Sequence, residues 1–251
     1  MNAQQTGVDN IANNLANANT TGYKRSNVIF HDLLYQTVQA QGQGEATGAA
    51  RPATLQIGHG AAPVATMRNF TQGGFEQTGN AFDLAISGEG FFQVRMPDGS
   101  VAYSRDGALT ISGEGYLITQ TGLPVEPDIS IPPEATDVHV SQDGIVQARF
   151  NGTGELIDLG QLELARFTNP SGLMAEGGNL YSATEASGEP TLGTPGQDGI
   201  GVVRQGYLEA SNVDVVQEMV NLISAQRAYE INSKMVTTSE EMLQVANNVK
   251  R

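Results

Sequence analysis

The 251-residue sequence has no cysteine, no tryptophan, only three histidines, and 13 basic against 27 acidic residues. Without cysteine there is no disulfide framework, no thiolate nucleophile and no cysteine metal site. His31, His59 and His139 lie more than twenty residues apart, with none of the close spacing that paired metal ligands show, so surface or strand positions are expected for them and no metal site. The formal net charge of −14 argues against nucleic acid as a partner, since neutralising phosphates needs clustered Lys and Arg. No stretch approaches 18 consecutive apolar residues, and the first thirty residues lack a basic start followed by an apolar run. Neither a membrane-spanning helix nor a cleaved secretory signal is therefore expected, and export would need another route.

What is present is unevenly distributed. Apolar residues make up 39%, enough for a real core. Residues 1–35 are electrically neutral and 201–251 carry −1, so −13 of the −14 falls between 36 and 200. The ends and the centre are different materials.

Val8, Ile11, Leu15 and Ala18 recur at steps of three and four and predict a helix with one apolar face, which Gly22 is able to follow in a left-handed conformation. Tyr23, Lys24 and Arg25 come next. Val28, Ile29, Phe30, Leu33, Leu34, Tyr35 and Val38 then suit either a short helix or an extended segment. Gln39 to Thr54 is almost wholly Gln, Gly, Ala and Thr with a few charges, and flexibility in an isolated subunit is expected there. From Phe82 to about Tyr181, short apolar or alternating runs are separated by turn signals such as Asp98–Gly99, Gly113–Gly115, Asp143–Gly144 and Asn151–Gly152, which predicts a mostly antiparallel sheet or barrel. Gly and Pro crowd 188–201. Beyond them Ser211 and Asp214 form a short capping pattern, and Val215, Leu222, Tyr229, Val236 and Leu243 fall at steps of seven, as do Ala228, Met235, Met242 and Val249, flanked by Ile231 and Val245. A sevenfold repeat held this long predicts a coiled-coil seam wide enough for more than one neighbour. Thr238 and Glu241 offer the alternative of a second cap after a break.

Candidate chemistry is sparse. Ser87–Gly90 resembles part of a phosphate-binding loop but lacks the third glycine, and Phe91 and Phe92 stand where a helix should begin, so a tight β turn is expected. A glycosidase pair needs two carboxylates about 5 to 9.5 Å apart; Asp-Gly turns account for most of the acids. No catalytic residue, cofactor or small-molecule substrate is assigned.

The expected fold class is α+β, with N- and C-terminal helices pairing as a coiled-coil-like hairpin around an inserted antiparallel β domain. Pattern alone leaves two arrangements open: the helices dock on the β domain as ordinary core elements, or they leave apolar stripes exposed that stack copies into a non-closing polymer.

AQQTGVDNIANNLANANTTGYKR at 3–25 and GYLEASNVDVVQEMVNLISAQRAYEINSKMVTTSEEML at 206–243, with FDLAISGEGFFQV at 82–94 and SRDGALTI at 104–111 between them, resemble the signatures of the flagellar rod and hook family. Within it, residues 32–66 are similar to the longer segment of distal-rod members. Family members usually begin a few helical turns before the AQQT stretch, so the expectation is either that the start at Met1 is misassigned or that the first helix is short.

The resemblance implies a structural subunit and not an enzyme. It implies a discontinuous helical polymerisation domain at 1–35 and 207–251, an extended connecting region at 36–78 and 190–206, and a β domain at 79–189. Its polymerisation surface would use Val8, Ile11, Leu15, Val215, Leu222, Ala228, Tyr229, Ile231, Met235, Val236, Met242 and Leu243. A segment stiffening the rod would use Gln39, Gln41, Gln43, Arg51, Leu55 and Ile57. The partners implied are copies of the chain in a helical homopolymer, the proximal rod, the hook, the P and L rings, and the flagellar type III export apparatus, placing the protein in the basal body across the periplasm. The alternatives are a hook or proximal-rod subunit, or a cell-wall-acting enzyme using the β region.

Overall fold

A computed structural model describes residues 2–39, 55–150 and 156–249. The chain falls into two compact units, one gathering 1–13, 26–67 and 216–251, the other 14–25 and 68–215.

The first unit holds helix α1 (Asn2–Ala16), strands β1 (Ser26–Asp32), β2 (Tyr35–Gln39), β3 (Leu55–Gly58) and β4 (Ala61–Arg68), and helix α2 (Val215–Val249), except that residues 14–16, Arg68 and Val215 belong to the other unit. The apolar run after Arg25 resolves as extended, consistent with its β-branched and aromatic content. β1 pairs with β4 and β2 with β3, each as a two-stranded ribbon. A ribbon of two strands has too few neighbours to bury its side chains, and Ile29, Phe30, Leu34, Tyr35, Ile57, Val64 and Met67 remain exposed. α1 meets β1 where Asn10 Nδ2 donates to the Ser26 carbonyl at 2.7 Å and where the Phe30 ring lies near Gly7. α2 is one unbroken helix, so the break before Thr238 does not occur. The expected cap is also corrected: the Ser211 hydroxyl accepts from Val213 N at 3.3 Å in a local turn, and the helix starts later, at Val215.

The second unit contains β5 (Phe75–Gln77), β6 (Leu84–Ser87), β7 (Phe91–Arg95), β8 (Val101–Ser104), β9 (Leu109–Ile111), β10 (Leu117–Thr119), β11 (Val125–Glu126), β12 (Ala135–Val140), β13 (Ile145–Phe150), β14 (Leu156–Gln161), β15 (Leu164–Arg166), β16 (Met174–Gly177), β17 (Leu180–Ser182), β18 (Thr191–Gly193), β19 (Val202–Gln205) and β20 (Tyr207–Glu209). Its largest sheet runs β16-β17-β8-β7-β15-β18, with β11 also on β7. β12-β13-β14 form a second sheet, and β9 pairs β10, β6 pairs β19 and β5 pairs β20, all antiparallel. The β7–β8 turn shows why Asp-Gly signals strand reversal: Asp98 Oδ1 accepts from both Ser100 N (2.9 Å) and Ser100 Oγ (2.6 Å), and Gly99 takes φ +87°, a conformation that favours glycine.

Phe91 and Phe92 are adjacent in a strand and so point to opposite faces. Phe92 joins a large aliphatic cluster with Leu84, Ile86, Leu109, Val146, Leu164 and Val203. Phe91 joins Tyr103, Phe167 and Tyr181 in an aromatic one, packed edge to face as ring quadrupoles prefer. Residues 190–206 differ from the connector expected of them: β18 and β19 fall within this span, with Leu192 opposite Ala165 and Val203 opposite Ile86. Glycine and proline dominate that stretch, and the short β-branched pair Val202–Val203 supplies the strand between them.

Candidate functional site

Along α2 the sevenfold column stays largely uncovered. Val215, Tyr229, Val236 and Leu243 are exposed, as are Ile231, Met235, Met242 and Val245, with Met235 and Leu243 at 67% and 68%; Leu222 and Ala228 are half-buried. Val216, Met219, Val220 and Ile223 are exposed as well. At about 100° per residue these positions fall on several sides of the helix, interspersed with polar residues such as Arg227, Glu230 and Lys234. Left in water, such a surface marks an interface or an aggregation hazard.

Val8, Ile11 and Leu15 on α1 are half-buried. Of the residues expected in the rod-stiffening segment, Gln39 and Leu55 stand opposite each other where β2 meets β3, and Ile57 is 53% exposed. Gln41, Gln43 and Arg51, like most of the Gln39 to Thr54 stretch expected to be flexible, lie outside the described residues.

A second constellation, in the other unit, was not legible in the sequence. Lys24 Nζ lies 2.6 Å from Glu209 Oε1 with both side chains sealed from solvent, and Arg105 Nη1 lies 3.4 Å from Glu209 Oε2. Lys24 also donates to the Thr71 carbonyl at 2.9 Å, Glu209 accepts from Gly73 N at 2.9 Å, and Arg105 donates to the Gly88 carbonyl at 2.7 Å while its guanidinium stacks 5.3 Å over Phe91. Burial pushes the Lys24 ammonium below the usual lysine range, with the attraction of Glu209 opposing it, and burial lowers Arg105 too.

Around this triad every segment by which the chain leaves the unit is tied down. Tyr23 Oη donates to Asn14 Oδ1 in the last turn of α1 at 3.1 Å, and Gly22 N donates to the Glu209 carbonyl at 2.8 Å. Arg25 N donates to Asn212 Oδ1 at 2.7 Å, whose amide nitrogen donates to the carbonyls of Asn69 and Thr71. Asn69 N donates to the Arg25 carbonyl at 2.8 Å, and Arg68 to the Lys24 carbonyl at 3.2 Å. Gly22 takes φ +67°, and a Cβ there would sit 2.7 Å from Asp106 N, so the 20–25 strap lies flush on the chain at 105–106.

Family models match three stretches of the chain: "Flagella basal body rod protein" over residues 1–24, "Flagellar hook protein FlgE/F/G D1 domain" over 85–148, and "Flagellar basal body rod FlgEFG protein C-terminal" over 204–249. The chain is 47% identical over 244 residues to the flagellar basal-body rod protein FlgG of Buchnera aphidicola, covering 97% of this chain and 94% of the relative. It is 47% identical to FlgG of Borreliella burgdorferi (100% and 96% covered) and 48% identical to that of Agrobacterium fabrum (98% and 95%). The chain belongs to the FlgG family of flagellar basal-body rod proteins. The three family segments coincide with the geometry just described. The first ends on Lys24, the second holds Arg105, and the third holds Glu209, Asn212 and α2.

The triad escaped detection because its members are 104 and 185 positions apart, beyond any spacing rule. The one available signal was that TGYKR, SRDG and GYLEASNVD each carry two charged residues among turn-forming and apolar ones. FlgG-family membership supports the coarse expectation of a rod component of the flagellar basal body.

Proposed function

We propose that this chain is a structural subunit of the flagellar distal rod. Copies pack through α1 and α2 into a tubular drive shaft that carries motor torque across the periplasm to the hook. The observation behind this reading is the run of exposed apolar side chains on α2, including Val216, Met219, Tyr229, Met235, Leu243 and Val245, in a chain whose β unit has closed cores of its own. Such a helix needs neighbours on more than one side, and a non-closing stack of identical chains supplies them. The mechanism is mechanical, with no bond made or broken. On this reading the partners are further copies, the proximal rod, the hook, the P and L rings, and the type III export apparatus. Electron microscopy of the purified full-length chain tests it: straight tubes are expected, and a chain that stays monomeric at concentrations where α2 would be saturated overturns it.

A further inference from the structure

We infer that the buried Lys24–Glu209–Arg105 triad, with Asn212 beside it, is a mechanical joint that clamps the roots of both terminal helices to the β unit. Three observations lead there. The cluster gathers one charge from each of three segments far apart in sequence. It lies where the chain leaves the unit, holding the strap that follows α1 and the segment that enters α2. It is also ionic where apolar packing would serve stability as well, since buried ion pairs seldom add net stability and their attested benefit is fixing one geometry.

The charges divide the work. Glu209 and Arg105 form a neutral pair inside the unit, and Lys24 brings the strap onto it as a clasp. Asn212 joins strap and C-terminal segment by accepting from Arg25 N while donating to Asn69 and Thr71. Force arriving along either helix root therefore meets segments hydrogen-bonded into the β unit itself.

The inference rests on the polymerisation reading only for its role in the filament. Native-state hydrogen exchange on the wild-type full-length chain tests it without that assumption. The amides of Gly22 and Arg25 are expected to open together with the core amides of Phe91 and Val94, in one cooperative unit. Exchange of Gly22 and Arg25 at least 100-fold faster than the core overturns the joint. In the Lys24→Met chain, protection of both amides is expected to fall at least tenfold while the core stays protected, and unchanged protection also overturns it. Where wild type forms filaments, those of Lys24→Met are expected to show a persistence length several-fold shorter, and equal stiffness counts against the joint. Failure of wild type to polymerise sinks the rod reading and leaves the exchange test standing.

Discussion

The Lys24 ammonium and the Glu209 carboxylate meet at 2.6 Å with no exposure to water, and Glu209 is the only carboxylate that Lys24 or Arg105 contacts within ion-pair distance among the described residues. One anion thus serves two buried cations.

That imbalance makes the triad asymmetric to mutation. Glu209→Gln strands two cations and is expected to cost about 3–5 kcal/mol. Lys24→Met leaves the neutral Arg105–Glu209 pair and is expected to cost about 1.5 kcal/mol, the scale of hydrogen bonds to a charged group. Urea unfolding followed through the near-ultraviolet signal of the buried tyrosines measures both; equal losses would refute the asymmetry.

Asp106 carries a pH prediction. Burial raises its carboxyl above the ordinary value, although Ala108 N, Thr21 and Asn179 hydrogen-bond to it. A carboxyl raised on folding contributes stability below its unfolded value, about 3.9, and loses it as pH rises through the folded value. At neutral pH the charged form is therefore a cost. Asp106→Asn keeps an acceptor oxygen and is expected to raise the unfolding midpoint at pH 7, with the gain vanishing below about pH 4. A gain that persists or grows in acid would contradict this.

Glycines at two turns separate steric from conformational demand. A Cβ at Gly107 would run into the Leu84 carbonyl oxygen and lie 3.2 Å from the Phe92 ring, so Gly107→Ala is expected to cost about 3 kcal/mol or more. Gly99 faces open space at φ +87°, and Gly99→Ala is expected to cost only about 1 kcal/mol. Thermal unfolding of the two variants should rank them in that order.

Exposed residues of α2 predict a separation of folding from assembly. Tyr229→Asp or Leu243→Asp places a charge on a surface already 38% or 68% exposed in the single chain, so the near-ultraviolet tyrosine spectrum of the β unit should not change. Sedimentation is expected to show polymerisation abolished. Normal polymers from either variant would mean that this column is not the interface.

The terminal helices were legible because their periods are local: the steps of three and four from Val8 to Leu15 and of seven from Val215 to Leu243 are visible within a few turns. Asp98–Gly99 and Asp143–Gly144 were legible for the same reason, since each turn is specified by its own residues. Val28 to Val38 stayed open between helix and strand because a short apolar run carries no decisive period. Sheet order was hidden: Leu164 pairs with Phe92, and nothing near either residue encodes the other. The same holds for Lys24, Arg105 and Glu209, whose meaning lies only in their proximity. Residues 190–206 misled because abundant glycine and proline outweighed the two valines that make β19.

Near-atomic electron microscopy of filaments grown from the purified full-length chain tests the central claim most directly. The account predicts a straight tube in which Tyr229, Met235 and Leu243 are buried between copies and the acidic β unit lies outside. A chain that forms no filament, or a filament in which those three side chains still face water, would contradict it.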